Sequence, residues 1–456
     1  MKNNNNYLRT NAKKQAYKNK GITLVALIIT IVVMLILVAV SVNVIVNSDL
    51  IGHAEKIGDA YKNAVAEEEG YNPTFGNGKT LEDYMAGIEK LPDIEAGVRA
   101  ETNSNYKGVT IPKGFTVSGI STEQNVDNGL VIYDIPKGTT VDWTNPDNVK
   151  TKYNQFVWIP VEVNKATDKE TSIAAFRRSN WAENASTGGE RTTELSSDFT
   201  EPYTDSSGND YDTSTGIKTQ IDELTKSIYK YGGFYIGRYE AGVKPADDGT
   251  ATPRTSSSDS QTADCVVQQD KYPYNYIKWG KSMSNVSEGA VFVSNKLYND
   301  KEEYGAKSML CTGACWDSML DFIKDSSHSV TDSTTWGNYK NSETFEITRG
   351  AYAVLNTSNY TLGSFNNVGS KYSKMKDTAI LLTTGATERN CSKNIYDVAG
   401  NCLEWTTESL SSSLRVYRGG SYYSNGFDDP AYDRYGISAD YRINGLSFRS
   451  SLYVSL

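Results

Sequence analysis

Two histidines, His53 and His328, and five cysteines, Cys265, Cys311, Cys315, Cys391 and Cys402, are the chain's whole stock of imidazole and thiol. Zinc sites and acid–base dyads near neutral pH lean on these side chains. No cysteine pair has C-x-x-C spacing, so both chemistries are disfavoured. An odd set of five could close one or two disulfides in an exported protein and leave a thiol over; buried small side chains fit equally well. Gly78-Lys79-Thr80 ends like a phosphate-binding loop, but Pro73 stands where such a loop needs its first glycine, so the stretch reads as a turn. The segment richest in chemistry is Asp397-Val398-Ala399-Gly400-Asn401-Cys402-Leu403-Glu404-Trp405. Glu404 stands beside a large apolar ring, so its carboxylate must be solvated, paired or metal-bound. Gly400 here, and Gly419-Gly420 downstream, permit backbone conformations that a Cβ forbids.

The frame around these residues has a lopsided charge. The chain is 456 residues long, 38 % hydrophobic and 22 % charged, which suits two or three globular domains with polar insertions. Its net charge is -9, yet residues 1–21 carry six basic side chains and no acid. The remainder holds 40 basic against 55 acidic residues, a net charge near -15. So acidic a body is a poor binder of phosphate backbones, and no nucleic-acid partner is expected. After the basic head, Ile22 to Val46 runs without a charge. As a helix it spans roughly 38 Å, enough for a ~30 Å hydrocarbon core. The positive-inside bias keeps residues 1–20 cytoplasmic and places the rest outside, a single-pass membrane protein with an extracellular C-terminal domain. The apolar run is too long for a cleaved secretory signal.

The junction Lys20-Gly21-Ile22-Thr23-Leu24-Val25-Ala26-Leu27 resembles the start of type IV prepilins. That resemblance implies cleavage after Gly21 by a prepilin peptidase and N-methylation of Ile22. It also implies other pilins as partners and a place in a pilus. The family's glutamate five residues after the cut is replaced by Ala26, which favours a tether over a fibre subunit. The helix is expected to continue amphipathically to residue 69, until Gly70, Pro73, Gly76 and Gly78 break it. Residues 70–150 read as a linker and a small β-rich region. Val109–Ile111, Gly114–Val117, Leu130–Tyr133 and Gln155–Val161 are short, β-branched or aromatic runs bounded by turn residues, and they predict strands. Stretches 183–218 and 246–264, rich in Ser, Thr, Gly, Asp and Glu, read as solvated loops.

Across 151–456 an ordered set of phrases recurs. Phe156-Val157-Trp158-Ile159-Pro160 is followed by Gly233–Glu240, by Trp279 in a segment entering a helix, and by a partner helix at Thr312–Leu320. Then come Asn394–Thr406, Arg415-Val416-Tyr417-Arg418-Gly419-Gly420-Ser421 and a closing Ser447-Phe448-Arg449. The set resembles the formylglycine-generating-enzyme-like domain, a variant of the C-type lectin fold. The fold class is therefore expected to be α+β: a transmembrane pilin-type helix, then this domain with irregular loops. The resemblance implies a structural calcium site, with ligands carried over to the carboxylates of Asp397 and Glu404 and the carbonyls of Gly400 and Cys402. Asp397 replaces the family's usual asparagine, and either supplies a hard oxygen. The family's oxidases bind copper through a cysteine pair between R-G-G-S and F-R. Residues 421–449 hold no cysteine, so neither copper nor the sulfatase-modifying type of oxidase activity is expected, and the protein reads as no enzyme.

That stretch, 422–445, alternates Tyr with Asp, Ser and Asn, the mixture of rigid amphipathic rings and adaptable hydrogen-bonding groups that binding loops use. It is similar to the variable region of proteins diversified by retroelements, which share this fold and scatter asparagine codons into Tyr, Asp, Ser, Gly, Ile and Phe. The resulting expectation is a surface protein whose variable face, 422–445, binds an extracellular protein or glycan. Its contact positions are Tyr422, Tyr423, Asn425, Phe427, Asp429, Tyr432, Asp433, Tyr435, Ile437, Asp440, Tyr441 and Asn444. A minor or tip pilin with a structural role is the alternative.

Overall fold

Local sequence explains most of the strands. Val131–Tyr133 and Gln155–Pro160 are runs of β-branched and aromatic residues that fit a pleated, half-buried surface. The computed structural model of the protein describes residues 91–456, apart from 193–194, 196–198, 203–210, 357–360 and 368–371. The leader 1–21, the pilin-type helix 22–69 with its apolar run, and the processing pair Gly21 and Ile22 lie outside the described residues. Among the described residues no helix is long and apolar enough to cross a membrane. Residues 91–456 form one unit of mixed architecture, mostly sheet with few helices.

Ten strands carry the architecture: β1 (Thr116–Val117), β2 (Val131–Tyr133), β3 (Gln155–Pro160), β4 (Gly233–Gly237), β5 (Ala306–Leu310), β6 (Leu403–Ser411), β7 (Leu414–Arg418), β8 (Arg434–Ser438), β9 (Leu446–Phe448) and β10 (Ser450–Val454). Six of them make an antiparallel sheet in the order β5-β10-β4-β3-β2-β1. The stretch expected to be a separate small region before residue 150 thus supplies β1 and β2 to the sheet that β3 continues. The sheet is buried on both faces. Phe156, Trp158, Tyr235, Leu452 and Val454 enter one core, and Val157, Ile159, Phe234, Ile236 and Tyr453 enter the other, which is the period-2 alternation of a strand.

Three helices matter to the site: α1 (Ile217–Tyr231), α2 (Ala290–Asn295) and α3 (Gly313–Ile323). The segment of Trp279 leads to α2 as the sequence suggests, and the carbonyls of Lys278 and Trp279 accept from the backbone N–H groups of Ala290 and Val291. Thr312 caps α3, its hydroxyl accepting from the Cys315 N–H at 3.0 Å. Trp316, Met319, Leu320 and Ile323 then pack α3 into the second core. On the other side, a four-stranded sheet of order β8-β7-β6-β9 closes the first core with Leu403, Trp405, Leu446 and Phe448.

Candidate functional site

The turn before β6 is built from residues that tolerate left-handed backbone. Asp397, Gly400 and Asn401 have φ of 57°, 73° and 60°. A Cβ on Gly400 would sit 2.3 Å from the Asn338 carbonyl oxygen, so only glycine fits there. Asn401, fully buried, organises the turn. Its Oδ1 accepts from the Leu382 N–H and the Asn338 amide, both at 2.9 Å, and its Nδ2 donates to Glu240 and to the Leu382 carbonyl.

Both carboxylates proposed for calcium are engaged by protein donors. Glu404 is engaged at both oxygens by Arg449, with Oε1 2.7 Å from Nη2 and Oε2 3.0 Å from Nε. Arg449 is fixed in turn by the carbonyls of Gly237 and Tyr396. Asp397 accepts from the Gly385 N–H at 2.7 Å and from the Asn390 amide at 3.4 Å. The resident cation here is a buried guanidinium. Burial pushes Glu404 up to about 7 against the pull of Arg449, and Asp397 up to about 6 against its hydrogen bonds. Glu240 is driven well above the carboxylate range by burial and by both neighbouring acids. Cys402 is buried, packed with Ala353, Leu381 and Tyr422. Among the described residues no cluster of three or more His, Cys, Asp or Glu is arranged to hold a metal. All five cysteines are unpaired, and burial raises Cys265 and Cys315 to about 12 and Cys391 to about 11, so they sit as thiols.

The second candidate is the face of 422–445. β7 and β8 form a hairpin in which Tyr417 stands opposite Tyr435, ring centroids 6.0 Å apart. Phe427, Tyr435 and Tyr441 are 62 %, 44 % and 39 % exposed. Asn425, Asp428, Ser438 and Asp440 are exposed, while Tyr423, Asp429, Tyr432, Asp433 and Ile437 are half-buried. Tyr417 interacts electrostatically with Asp429, Asp433 and Tyr441, and Tyr423 with Tyr417 and Tyr441, so these rings and acids share one neighbourhood. Two expected contact positions belong to the interior instead. Tyr422 is fully buried, because its backbone N–H donates to the Asn401 carbonyl and draws the ring into a small core with Leu381 and Cys402. Asn444 is 2 % exposed, because the backbone on either side is clamped: the Ile443 carbonyl by the Tyr276 N–H, and the Gly445 carbonyl by the Leu403 N–H.

A buried ionic cluster fixes the hairpin from beneath. Arg418 and Arg434, opposite each other across β7 and β8, would repel. Asp317 of α3 and Glu408 of β6 sit between them at 2.7 to 3.0 Å. Burial works to raise Asp317, but the two guanidiniums hold it below the usual carboxylate range. Arg415 pairs with Asp212 at 2.6 Å, and both are fully buried. Arg442 donates to the Ser257 carbonyl at 2.8 Å. Of the two stretches that read as solvated loops, the first therefore reaches the hairpin and the second the segment just after it. Tyr417, Asp317, Glu408 and Asp212 escape a reading of the sequence by composition. The one usable signal is the pair of arginines in R-V-Y-R, which at i and i+3 fall on opposite faces of a strand otherwise meant for a core.

No protein-family model matches the chain, and no curated protein matches it. Among solved structures it is slightly similar to Treponema denticola variable protein 1, at 15 % identity over 48 % of this chain and 84 % of that one, with a TM-score of 0.25. It is similar to the same degree to the structure of CarF, at 13 % identity over 49 % and 86 %, with a TM-score of 0.24.

Proposed function

We propose that the protein is a non-catalytic surface receptor, tethered in the cell membrane through residues 22–46 and binding an extracellular protein or glycan through the exposed part of 422–445. The observation that carries this reading is the placement of the exposed apolar surface. Three of the six large hydrophobic side chains exposed among the described residues, Phe427, Tyr435 and Tyr441, lie in this one stretch, and they are the aromatic ones. Aromatic rings left in water beside Asp, Ser and Asn suit a recognition surface. The tether, the prepilin peptidase that would process it after Gly21, and assembly with other pilins rest on the sequence of residues 13–50 alone.

The reading extends to diversification. Under it, Asn425, Phe427, Tyr435, Asp440 and Tyr441 are free to vary, while Tyr422, Arg434, Ile437 and Asn444 are held by the interior. Sequencing the locus in sibling strains tests this: substitutions should crowd onto the exposed positions and spare the buried ones. Substitutions spread evenly along the gene, or absent from 422–445, would sink it. Probing a protein and glycan array with the full-length protein in detergent tests binding itself. Tyr435→Ser/Tyr441→Ser should lose whatever the parent captures, and equal capture by both would end the reading.

A further inference from the structure

The charges of this face are sorted by sign. In 422–445 there are four acids, Asp428, Asp429, Asp433 and Asp440, and two bases, Arg434 and Arg442. Arg434 is withdrawn from solvent, and Arg442 is held by backbone carbonyls. Arg434 turns inward, its side chain 7 % exposed and paired to Asp317 and Glu408 at 2.8 Å each. Arg442 gives its Nε to the Ser257 carbonyl at 2.8 Å and its Nη1 to the Asp440 carbonyl at 3.3 Å. Lys278, which with Arg442 draws Asp440 down, is 17 % exposed and paired with Glu288 at 2.8 Å. The acids are left without such partners on the outer side: Asp428 and Asp440 are exposed, and Asp429 and Asp433 stand half-buried among Tyr417, Tyr435 and Tyr441.

Resting on the receptor reading above, we infer that the occupant of this face is a basic polypeptide segment, which seats lysine or arginine side chains on Tyr435 and Tyr441 beside Asp429 and Asp433. Each half of the arrangement selects for a cation. A tyrosine ring presents a negative π face to an ammonium or guanidinium. A carboxylate next to it supplies the counter-charge and steers the approach. With Arg434 paired inward, Arg442 is the one base of the stretch left toward solvent against four acids, a balance that disfavours phosphate, sulfate or sialic acid. Burial, with repulsion from Asp429, raises Asp433 to about 6 against its hydrogen bonds and Arg418, so it carries its charge above that pH.

The test is a titration of the full-length protein in detergent with three peptides of one length. One carries Lys and Arg in a Gly/Ser background, one carries Glu at the same positions, and one is Gly/Ser alone. A neutral oligosaccharide is the fourth probe. The basic peptide should bind, and its affinity should drop on the order of tenfold or more in Asp429→Asn/Asp433→Asn and in Tyr435→Ser/Tyr441→Ser. It should also weaken as salt rises. Glu170→Gln/Glu302→Gln, which removes the same charge from exposed positions on other segments, should change it by less than about twofold. Thermal unfolding of each variant confirms that it is folded. If the Glu170/Glu302 variant weakens binding as much as the others, the attraction is diffuse and the inference falls. If the oligosaccharide or a non-basic peptide binds instead and Tyr435→Ser/Tyr441→Ser abolishes it, the receptor reading stands and the cationic ligand is wrong. If no probe binds and array capture is indifferent to Tyr435 and Tyr441, both fall.

Discussion

Arg238 aims one nitrogen, Nη1, at three oxygens: Glu123 Oε1 at 2.7 Å, the Tyr133 hydroxyl at 3.2 Å and Gln155 Oε1 at 3.2 Å. Lys150 adds a second cation 3.1 Å from Glu123. Burial works to raise Glu123, but Arg238 and Lys150, with the Tyr133 and Ser118 hydroxyls, bring it down to about 2. A carboxylate held below its unfolded value near 4.3 contributes stability that is full above that value and is lost as pH falls toward 2. Glu123→Gln should therefore cost about 3–5 kcal/mol at neutral pH, because it strands a buried guanidinium. Urea midpoints measured from pH 6 down to about 2 should fall more steeply for the parent than for the variant. Parallel curves would show that the pair does not carry the acid sensitivity. The Glu404–Arg449 pair makes a different statement at the same scale. A ligand that binds only the folded state raises the melting temperature. With both Glu404 oxygens on Arg449, millimolar calcium against chelator should leave that temperature unchanged. A rise of several degrees would mean that the guanidinium yields to the ion.

At the scale of elements, α3 and the β7–β8 hairpin depend on one another through Asp317. The carboxylate leaves the first turns of α3 to meet Arg418 and Arg434, and it also accepts from the Ser179 N–H and the Trp181 indole. Asp317→Asn should destabilise by about 3 kcal/mol or more, since two buried arginines lose a shared counter-ion. The amide protons of β8 should then exchange faster, which hydrogen exchange would read directly. Thr312→Ala removes only the cap of α3 and should cost about 1 kcal/mol with β8 unaffected. Strands of this kind were legible beforehand: Val109–Ile111 and Gln155–Pro160 stand where their β-branched and aromatic runs place them. The D-x-A-G-N turn was legible as a special backbone, and Gly400 and Gly419 do adopt positive φ. Its chemistry was not legible. Whether Glu404 faces a metal or an arginine depends on Arg449, 45 positions away, and no local pattern encodes that meeting. Tyr422 misled for a similar reason: its composition matches its exposed neighbours, and only the hydrogen bond to Asn401 turns it inward.

For the molecule as a whole, the proposed binding face and the strands that follow it are neighbours in sequence with opposite exposure. Residues 422–445 supply the exposed rings, while β9 and β10 directly after them are fully inside. β10 lies between β5 and β4 in the central sheet, pairing Met309 with Ser451 on one side and Ile236 with Ser451 on the other. Leu452 and Val454 enter one core and Tyr453 the other. Strand β5 meets the rest of the sheet only through β10. Removing residues 450–456 would leave two strand edges unpaired and two cores open, and each buried backbone group without a partner costs free energy comparable to a lost hydrogen bond. The truncated chain should fail to give a cooperative thermal transition and should be rapidly proteolysed, whereas removing only Ser455 and Leu456 should leave the transition nearly in place. The arrangement also bears on variation. On the proposed reading, a stretch that sits one strand short of a central strand can exchange its outer side chains freely only if none of them packs into the two cores. Asp429→Asn/Asp433→Asn and Tyr435→Ser/Tyr441→Ser should therefore shift stability by less than about 1 kcal/mol each while changing binding. Unfolding of either double variant in the range lost by Asp317→Asn would place those side chains in the scaffold and not in the binding face.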